Sequence, residues 1–227
     1  MKRILVILLA AILVASCSKE NCQIRYSSDV KIELKNIEGF GAKIESHEFE
    51  NGLGVITFNK PIITIPNEAF NGCRSLRSIT IPNSITSIGN CAFSGCFSLK
   101  SISIPDSVTS IGSGTFLFCT SLTYITIGNS VTSIGISAFQ YCTSLTSITI
   151  PASVTNIGTF AFRDCISLGA IYCKPTIPPP GTDDMFYRNA SWRKIYVPRN
   201  SLKSYQFVSV FDKNWNKYAL DIVGYDF

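Results

Sequence analysis

Cysteine is the residue type in this chain whose number and spacing could most readily do chemistry. Nine cysteines occur among 227 residues, and five of them recur at intervals of 23 residues. In stacked repeats the Cα atoms of equivalent residues lie roughly 4.8 Å apart, a separation that a disulfide tolerates. Their side chains, however, point in the same direction and not towards each other, which disfavours a disulfide. We expect buried free thiols, and without C-x-x-C or a neighbouring histidine we expect no metal and no cofactor. The five positions are Cys73, Cys96, Cys119, Cys142 and Cys165.

Another cysteine, Cys17, ends a segment with the pattern of an export signal. Two basic residues precede an apolar run over residues 4–14, which is too short to span a bilayer. The Val-Ala-Ser that follows resembles a bacterial lipobox, which implies that Cys17 is lipidated and becomes the mature N-terminus. Each buried methylene adds about 0.8 kcal/mol of membrane affinity, so this implies stable anchoring. Residues 18–20 are similar to the short acidic signals that send some bacterial lipoproteins to the outer face. We therefore expect the protein to be anchored at the bacterial outer membrane, and simple secretion is the alternative.

Groups that could catalyse a reaction are scarce. His47 is the only histidine, so a Ser-His-Asp or Cys-His centre would have to use it, and no nucleophile elbow accompanies it. Asp183 and Asp184 form the only adjacent acid pair, in an irregular loop after three prolines and with no partner carboxylate at a defined spacing. No glycine-rich phosphate loop follows a strand. The sequence therefore predicts a protein that is not an enzyme.

The charge balance excludes a nucleic-acid partner. Without the two basic residues of the export signal, 18 basic and 15 acidic side chains remain, a net charge of about +3. Only seven charged residues fall within positions 66–170. Nucleic-acid binding would need a basic stripe, and this stretch has none.

The repeat unit predicts the elements that position these residues. In residues 76–98, Leu-x-x-Ile-x-Ile-Pro predicts a strand with one buried and one exposed face, ended by Pro82. A shorter extended piece over residues 85–88 follows, and then residues 90–93 are expected to form a single helical turn. A period in the twenties with apolar residues at fixed phases is typical of a solenoid, whose coils bury their apolar faces against each other.

The unit resembles the BspA-like leucine-rich repeats of bacterial surface proteins. Its Leu-x-x-Ile-x-Ile core is that of leucine-rich repeats in general, and Ile-Gly-x-x-Ala-Phe-x-x-Cys is closer to the BspA-like type. The resemblance recurs in five units and covers roughly residues 53–197. It implies a leucine-rich-repeat solenoid of right-handed 23-residue coils, mostly β with short helical turns, with parallel sheets and a cap at each end. Ser84 and its equivalents replace the asparagine ladder of ordinary leucine-rich repeats.

Four segments are predicted along the chain. These are a lipoprotein signal peptide at 1–17, a tether and N-terminal cap at 18–52, the solenoid at 53–198 and a C-terminal cap at 199–227. Near the end of the array the register slips, and Trp192 is expected in the leucine phase. Caps are needed because an open coil presents unpaired backbone and apolar area.

Hydroxyl side chains dominate the outward positions of the predicted long strands. Because identical residues stack in neighbouring coils, small hydroxyls also suit such a ladder without any ligand. The functional interpretation is that this face binds an extended partner, with Tyr124 and Tyr172 as the anchors. The face comprises Ser78, Thr80, Ser101, Ser103, Tyr124, Thr126, Ser147, Thr149 and Tyr172.

Three functions compete for this surface. The resemblance implies a non-enzymatic, adhesin-like protein that binds proteins of a host or a neighbouring cell, and we favour this hypothesis. The second is a carbohydrate-binding module in which Trp192, Tyr205 and Trp215 present ring platforms, unless these rings fill the core of the cap. The third is an ice or crystal binder that uses the threonine ladder Thr86, Thr109, Thr132 and Thr155, although Tyr124 interrupts the flat face.

Overall fold

The computed structural model describes residues 19–180, 184–206 and 215–227. Each repeat forms one coil with a long strand, a two-residue strand and a run of tight turns. The strands are β1 Gln23–Ser28, β2 Ile44–Glu50, β3 Leu53–Phe58, β4 Thr64–Ile65, β5 Leu76–Thr80, β6 Ser87–Ile88, β7 Ser101–Ser103, β8 Ser110–Ile111, β9 Tyr124–Thr126, β10 Ser133–Ile134, β11 Ser147–Ile150, β12 Asn156–Ile157, β13 Ala170–Cys173, β14 Lys194–Pro198 and β15 Ile222–Tyr225. Helix α1 spans Leu202–Gln206, and 3-10 turns span Lys19–Cys22, Ile37–Phe40, Arg199–Ser201 and Asn216–Asp221.

The short strands stack into a five-stranded parallel sheet in the order β12-β10-β8-β6-β4. Ile88 pairs with Ile65 on one side and with Ile111 on the other, so equivalent residues of successive coils are in register. This register confirms the predicted parallel-sheet solenoid with a 23-residue repeat.

The long strands form a second side of the coils. Strands β7 and β9 pair in parallel, and β11, β13, β14 and β15 form a parallel sheet in that order. Along each strand, inward residues are buried and the residues between them point to solvent, as Ile125 and Tyr124 do in β9. We call the outward side of the long strands the strand face.

The third side of each coil consists of tight turns, and the expectation of a single helical turn is wrong. The N–H of Ala92 donates to the carbonyl of Gly89, whereas the N–H of Phe93 donates to Thr115 in the next coil. Two residues per coil have a left-handed backbone, which interrupts the continuous negative φ of a helix. The first of these positions is Glu68, Cys91, Gly114, Ser137 or Phe160, and the second is Gly72, Gly95, Phe118, Tyr141 or Asp164.

Phenylalanine and cysteine fill the core beneath these turns. Six rings stack along the solenoid with centroids 5.0–5.5 Å apart, a set that we call the phenylalanine ladder: Phe70, Phe93, Phe116, Phe139, Phe162 and Phe186. The thiol of Cys119 donates to the carbonyl of Phe93 in the preceding coil at 3.2 Å, and Cys96, Cys142 and Cys165 repeat this contact. All five repeat cysteines are free, as predicted.

The N-terminal cap contributes a strand that pairs directly with the first long strand of the repeats. Strand β1 lies between β3 and β5 and is antiparallel to both, in the sheet order β2-β3-β1-β5. Strand β3 carries the apolar phases of a repeat strand, yet it does not pair with β5. The cap therefore does more than cover the first edge of the array, because it supplies a strand inside the sheet.

The C-terminal cap has an aromatic core, and this corrects two predicted site residues. Tyr205 and Trp215 are fully buried, so the prediction that they present ring platforms to a glycan is wrong. The hydroxyl of Tyr205 donates to the carbonyl of Pro175 at 2.8 Å, and the indole Nε1–H of Trp215 donates to Pro179 at 2.7 Å. Both rings fill the cap with their polar atoms satisfied, as buried tyrosine and tryptophan usually do.

Trp192 occupies the expected leucine phase, but its side chain is exposed instead of buried. The pairing of Ile171 with Ile195 places Trp192 opposite the buried Leu168, but its indole is 72% exposed. It lies against the backbone of Gly169, where a methyl group would meet Nε1 at 2.8 Å. A close-packed core with a leucine-sized space does not accept an indole, so the ring turns outward.

Candidate interaction surface

The predicted partner-binding residues all lie on the strand face. Six of them are exposed and three are half-buried, and buried isoleucines separate the two outward residues of each strand. The exposed ones are Ser78, Thr80, Ser101, Ser103, Tyr124 and Thr149, and the half-buried ones are Thr126, Ser147 and Tyr172. The structure thus gathers these residues on one surface.

Several hydroxyls on this face bond to each other. Ser27 and Ser78 lie 2.6 Å apart, and Thr126 donates to Ser103 at 2.7 Å. The threonine ladder on the adjacent side is more fully occupied. Each of its four hydroxyls donates to a carbonyl of the preceding coil at 3.1–3.2 Å. Coil stacking accounts for these threonines, and nothing in their geometry favours the binding of ice.

Aromatic rings gather at the C-terminal end of the strand face. Tyr172 and Tyr196 stack with centroids 4.8 Å apart and an interplanar angle of 14°. Tyr225 meets both rings edge-on, at 5.8 and 5.5 Å, and Phe227 lies 5.1 Å beyond it. We call these four residues the tyrosine cluster. Because Tyr225 and Phe227 are each about half exposed, the cluster forms an open aromatic surface.

Only part of this cluster could be found in the sequence. Ile-Tyr recurs at 171–172 and 195–196, which places Tyr196 in register with Tyr172. Strand β15, by contrast, follows a stretch without repeat phases and pairs in parallel with β14. No spacing signal in the sequence identifies Tyr225 or Phe227 as members of the same surface.

Charged groups border the tyrosine cluster. The ammonium of Lys174 lies 5.7 Å from the centroid of the Phe227 ring. Arg199 binds both carboxylate oxygens of Asp226 at 2.9–3.1 Å, and these hydrogen bonds hold the pKa of Asp226 below its usual value. A shallow cleft of about 350 Å³ lies between β11 and the C-terminal segment. Its lining residues are Thr149, Tyr172, Lys174, Tyr225, Asp226 and Phe227.

Two other exposed rings stand apart from the cluster. Tyr124 is 59% exposed in the middle of the hydroxyl-rich part of the face, with no ring contact among the described residues. Trp192 has its Nε1 and Cδ1 atoms near Gly169, and the residue is otherwise largely exposed. Of the three predicted glycan platform residues, Trp192 alone is therefore accessible.

The residues considered for catalysis have structural partners. His47 is half-buried, its Nε2 lies 2.7 Å from the hydroxyl of Tyr26, and burial together with Lys31 lowers its pKa. Asp184 is paired with Arg163 and Lys217, and Asp183 lies outside the described residues. Across the described ranges, no three His, Cys, Asp or Glu side chains are placed to hold a metal ion.

In the described residues no helix combines the length and apolarity needed to cross a bilayer. Cys17, the predicted lipidation site, lies outside them.

Comparison with known proteins identifies the repeat. A family model for the BspA-type leucine-rich repeat region matches residues 42–169 and 121–214, in six copies. The leucine-rich repeat protein TpLRR of T. pallidum is 26% identical, with 71% of this chain and 78% of that one covered and a TM-score of 0.52. Among curated proteins, none matches this chain.

Two further solved structures are longer than this chain. A leucine-rich repeat protein of Bacteroides ovatus is 26% identical over 71% of this chain and 48% of its own, with a TM-score of 0.46. The pneumococcal vaccine antigen PcpA is 19% identical over 66% and 42%, with a TM-score of 0.49. This chain thus spans less than half of either. With the family model matching most of its length, this chain belongs to the BspA-type leucine-rich-repeat family of bacterial surface proteins.

Proposed function

We propose that this protein is a non-enzymatic, adhesin-like interaction protein that binds a protein of a host or a neighbouring cell through its strand face. The observation that carries the proposal is the tyrosine cluster, an exposed aromatic surface at one end of a flat face rich in hydroxyls. Tyrosine is enriched among the residues that dominate binding energy at interfaces. Parallel strands hold these rings in fixed positions, which lowers the entropy lost on association.

The proposal predicts that removing exposed rings weakens a partner without unfolding the protein. Tyr124→Ala combined with Tyr172→Ala should weaken binding by about 1 to 3 kcal/mol in total, because both rings lie on the strand face. The measurement is binding of residues 18–227 to a panel of extracellular matrix proteins and glycans. Phe118→Ala, which removes a partly exposed ring from the turn side, is the matched control. Unchanged affinity in the double variant would move the site off the strand face.

A carbohydrate ligand is the second candidate, and a single observation favours it. The side chain of Trp192 is largely exposed, so its indole is accessible for stacking on the C–H face of a sugar. In the same panel, glycan binding that survives the tyrosine variant but is lost in Trp192→Ala would establish this alternative. If both variants still bind the glycan, Trp192 is excluded as the site.

We further propose that Cys17 carries a lipid that anchors the protein at the bacterial outer membrane. The support is the lipobox-like sequence before Cys17 and the cell-surface occurrence of the family. Cys17→Ser should release the protein from membranes and abolish incorporation of labelled fatty acid, whereas Cys91→Ser, which alters a partly exposed thiol of the solenoid, should do neither. A Cys17→Ser protein that still fractionates with membranes and carries label would contradict the anchor.

A further inference from the structure

We infer that the partner segment that binds the tyrosine cluster is an acidic polypeptide, whose carboxylates pair with Lys174 and Lys194. This inference rests on the proposed function, since it names the chemistry of a partner for the strand face. Three features of the cluster support it: the unpaired cations beside it, the orientation of its rings and the shape of the adjoining cleft.

The cations around the cluster divide into paired and unpaired groups. Four of the seven cationic side chains described beyond residue 170 are in ion pairs: Arg188 with Asp164, Arg193 with Asp221, Arg199 with Asp226 and Lys217 with Asp184. The remaining three, Lys174, Lys194 and Lys203, form no ion pair within the described ranges and are exposed, and Lys203 belongs to helix α1. Lys194 precedes Tyr196 by two residues in β14 and Lys174 follows Tyr172 by two, so both belong to the strand face.

This end of the face therefore carries two lysine side chains without ion pairs beside its aromatic rings. Asp226 is the carboxylate that lines the cleft, and Arg199 neutralises it through two parallel hydrogen bonds. The middle strands β7, β9 and β11 present only hydroxyls, Tyr124 and apolar side chains. An acidic partner that lies along the strand face would therefore find cationic groups to pair with at the tyrosine cluster.

The orientation of the rings favours a peptide over a sugar. Tyr172 and Tyr196 stand side by side on neighbouring strands, so their ring faces contact each other and their edges and hydroxyls point away from the sheet. Stacking on a sugar requires an open ring face, whereas ring edges carry partial positive charge and suit carboxylates. Phenolic hydroxyls add hydrogen-bond donors to the same carboxylates.

The cleft beside the cluster gives room for a side chain. Its volume is about 350 Å³, and Thr149, Tyr225 and Phe227 are among the residues that line it. An extended peptide lying on the cluster could insert an apolar or aromatic residue there while its acidic residues reach the two lysines. We therefore expect acidic segments that also contain aromatic residues to bind more tightly than purely acidic ones.

The test uses poly-L-glutamate and a random copolymer of glutamate and tyrosine as probes for the soluble fragment of residues 18–227. Both should bind at low ionic strength and weaken as salt rises, since the Debye length shortens to about 10 Å at 0.1 M. Lys174→Gln combined with Lys194→Gln should reduce affinity about tenfold. The matched control, Lys43→Gln with Lys60→Gln, removes the same charge from exposed positions in the N-terminal part and should change affinity less than about twofold. Tyr196→Ala should remove most of the preference for the copolymer.

Four outcomes would overturn the inference. Equal losses in the two lysine pairs would show that net charge alone binds the probes. Binding of hyaluronan with the same dependence on Lys174 and Lys194 would assign the cluster to an anionic glycan. A protein from the extracellular panel that depends on Tyr124 and Tyr172, without any binding of the acidic probes, would leave the proposed function standing and this inference refuted. If neither the panel nor the probes bind, both fail.

Discussion

Replacing Phe116 by alanine should lower the free energy of unfolding by about 3 to 5 kcal/mol. Phe116 is fully buried in the middle of the phenylalanine ladder, between the parallel rings of Phe93 at 5.5 Å and Phe139 at 5.2 Å. Its removal leaves a cavity that neighbouring coils cannot close, because backbone hydrogen bonds on all three sides fix their spacing. Denaturant titration followed by circular dichroism measures the loss.

Phe118→Ala provides the matched control for this prediction. Phe118 stacks on Tyr141 at 4.7 Å, so it also has a ring partner, but its side chain is partly exposed on the turn side. Its removal should cost only about 1 to 2 kcal/mol, because a large part of this ring already faces water in the folded protein. Comparable losses in both variants would mean that the ladder is not the main source of stability.

Alkaline pH should destabilise the protein through its buried thiols. Burial raises the pKa of Cys119 and of Cys173 to about 12, and it raises the pKa of Cys96 and Cys142 well above the usual thiol value. These groups stay protonated in the folded protein, whereas in the unfolded chain they ionise near pH 8.5. The unfolded state therefore binds fewer protons above that pH, so stability is full below it and falls as pH rises toward the folded pKa.

The size of this effect makes it measurable. At pH 9.5 each such thiol should cost about 1 kcal/mol relative to pH 7, so the four together should cost on the order of several kcal/mol. Urea titrations at the two pH values, with a reductant present, test this difference. Cys119→Ala should be less stable at pH 7 because of its cavity, but its loss between the two pH values should be smaller by about a quarter. An equal pH dependence in both proteins would argue against buried thiols as the cause.

The core could be predicted well from the sequence because equivalent residues pack in the same way in every coil. The phenylalanine, cysteine, leucine and isoleucine phases are buried in coil after coil, from Phe70 and Cys73 to Phe162 and Cys165. When a residue type recurs at constant spacing, the burial predicted for it in one coil applies to the equivalent residues of the other coils. The outward hydroxyls follow from the same alternation, so the main part of the strand face could also be predicted.

The features that could not be predicted depend on residues outside the repeat or on backbone conformation. The insertion of β1 between β3 and β5 is an antiparallel contact between distant segments, and no periodicity encodes such pairing. Tyr225 joins the tyrosine cluster only because β15 adds to the sheet. The tight turns of the third side use left-handed φ at residues such as Cys91 and Tyr141, whose side chains do not indicate that conformation.

The parallel register of the short strands also makes the distance between the two ends of the solenoid depend on the number of coils. Each coil adds one strand to the sheet and advances it by about 4.8 Å, and coils contact only their neighbours. Gain or loss of one 23-residue unit would keep both caps intact and change only how far the tyrosine cluster stands from the N-terminal end. Duplication of single units would therefore let a bacterium adjust the reach of this surface in uniform steps without redesigning it.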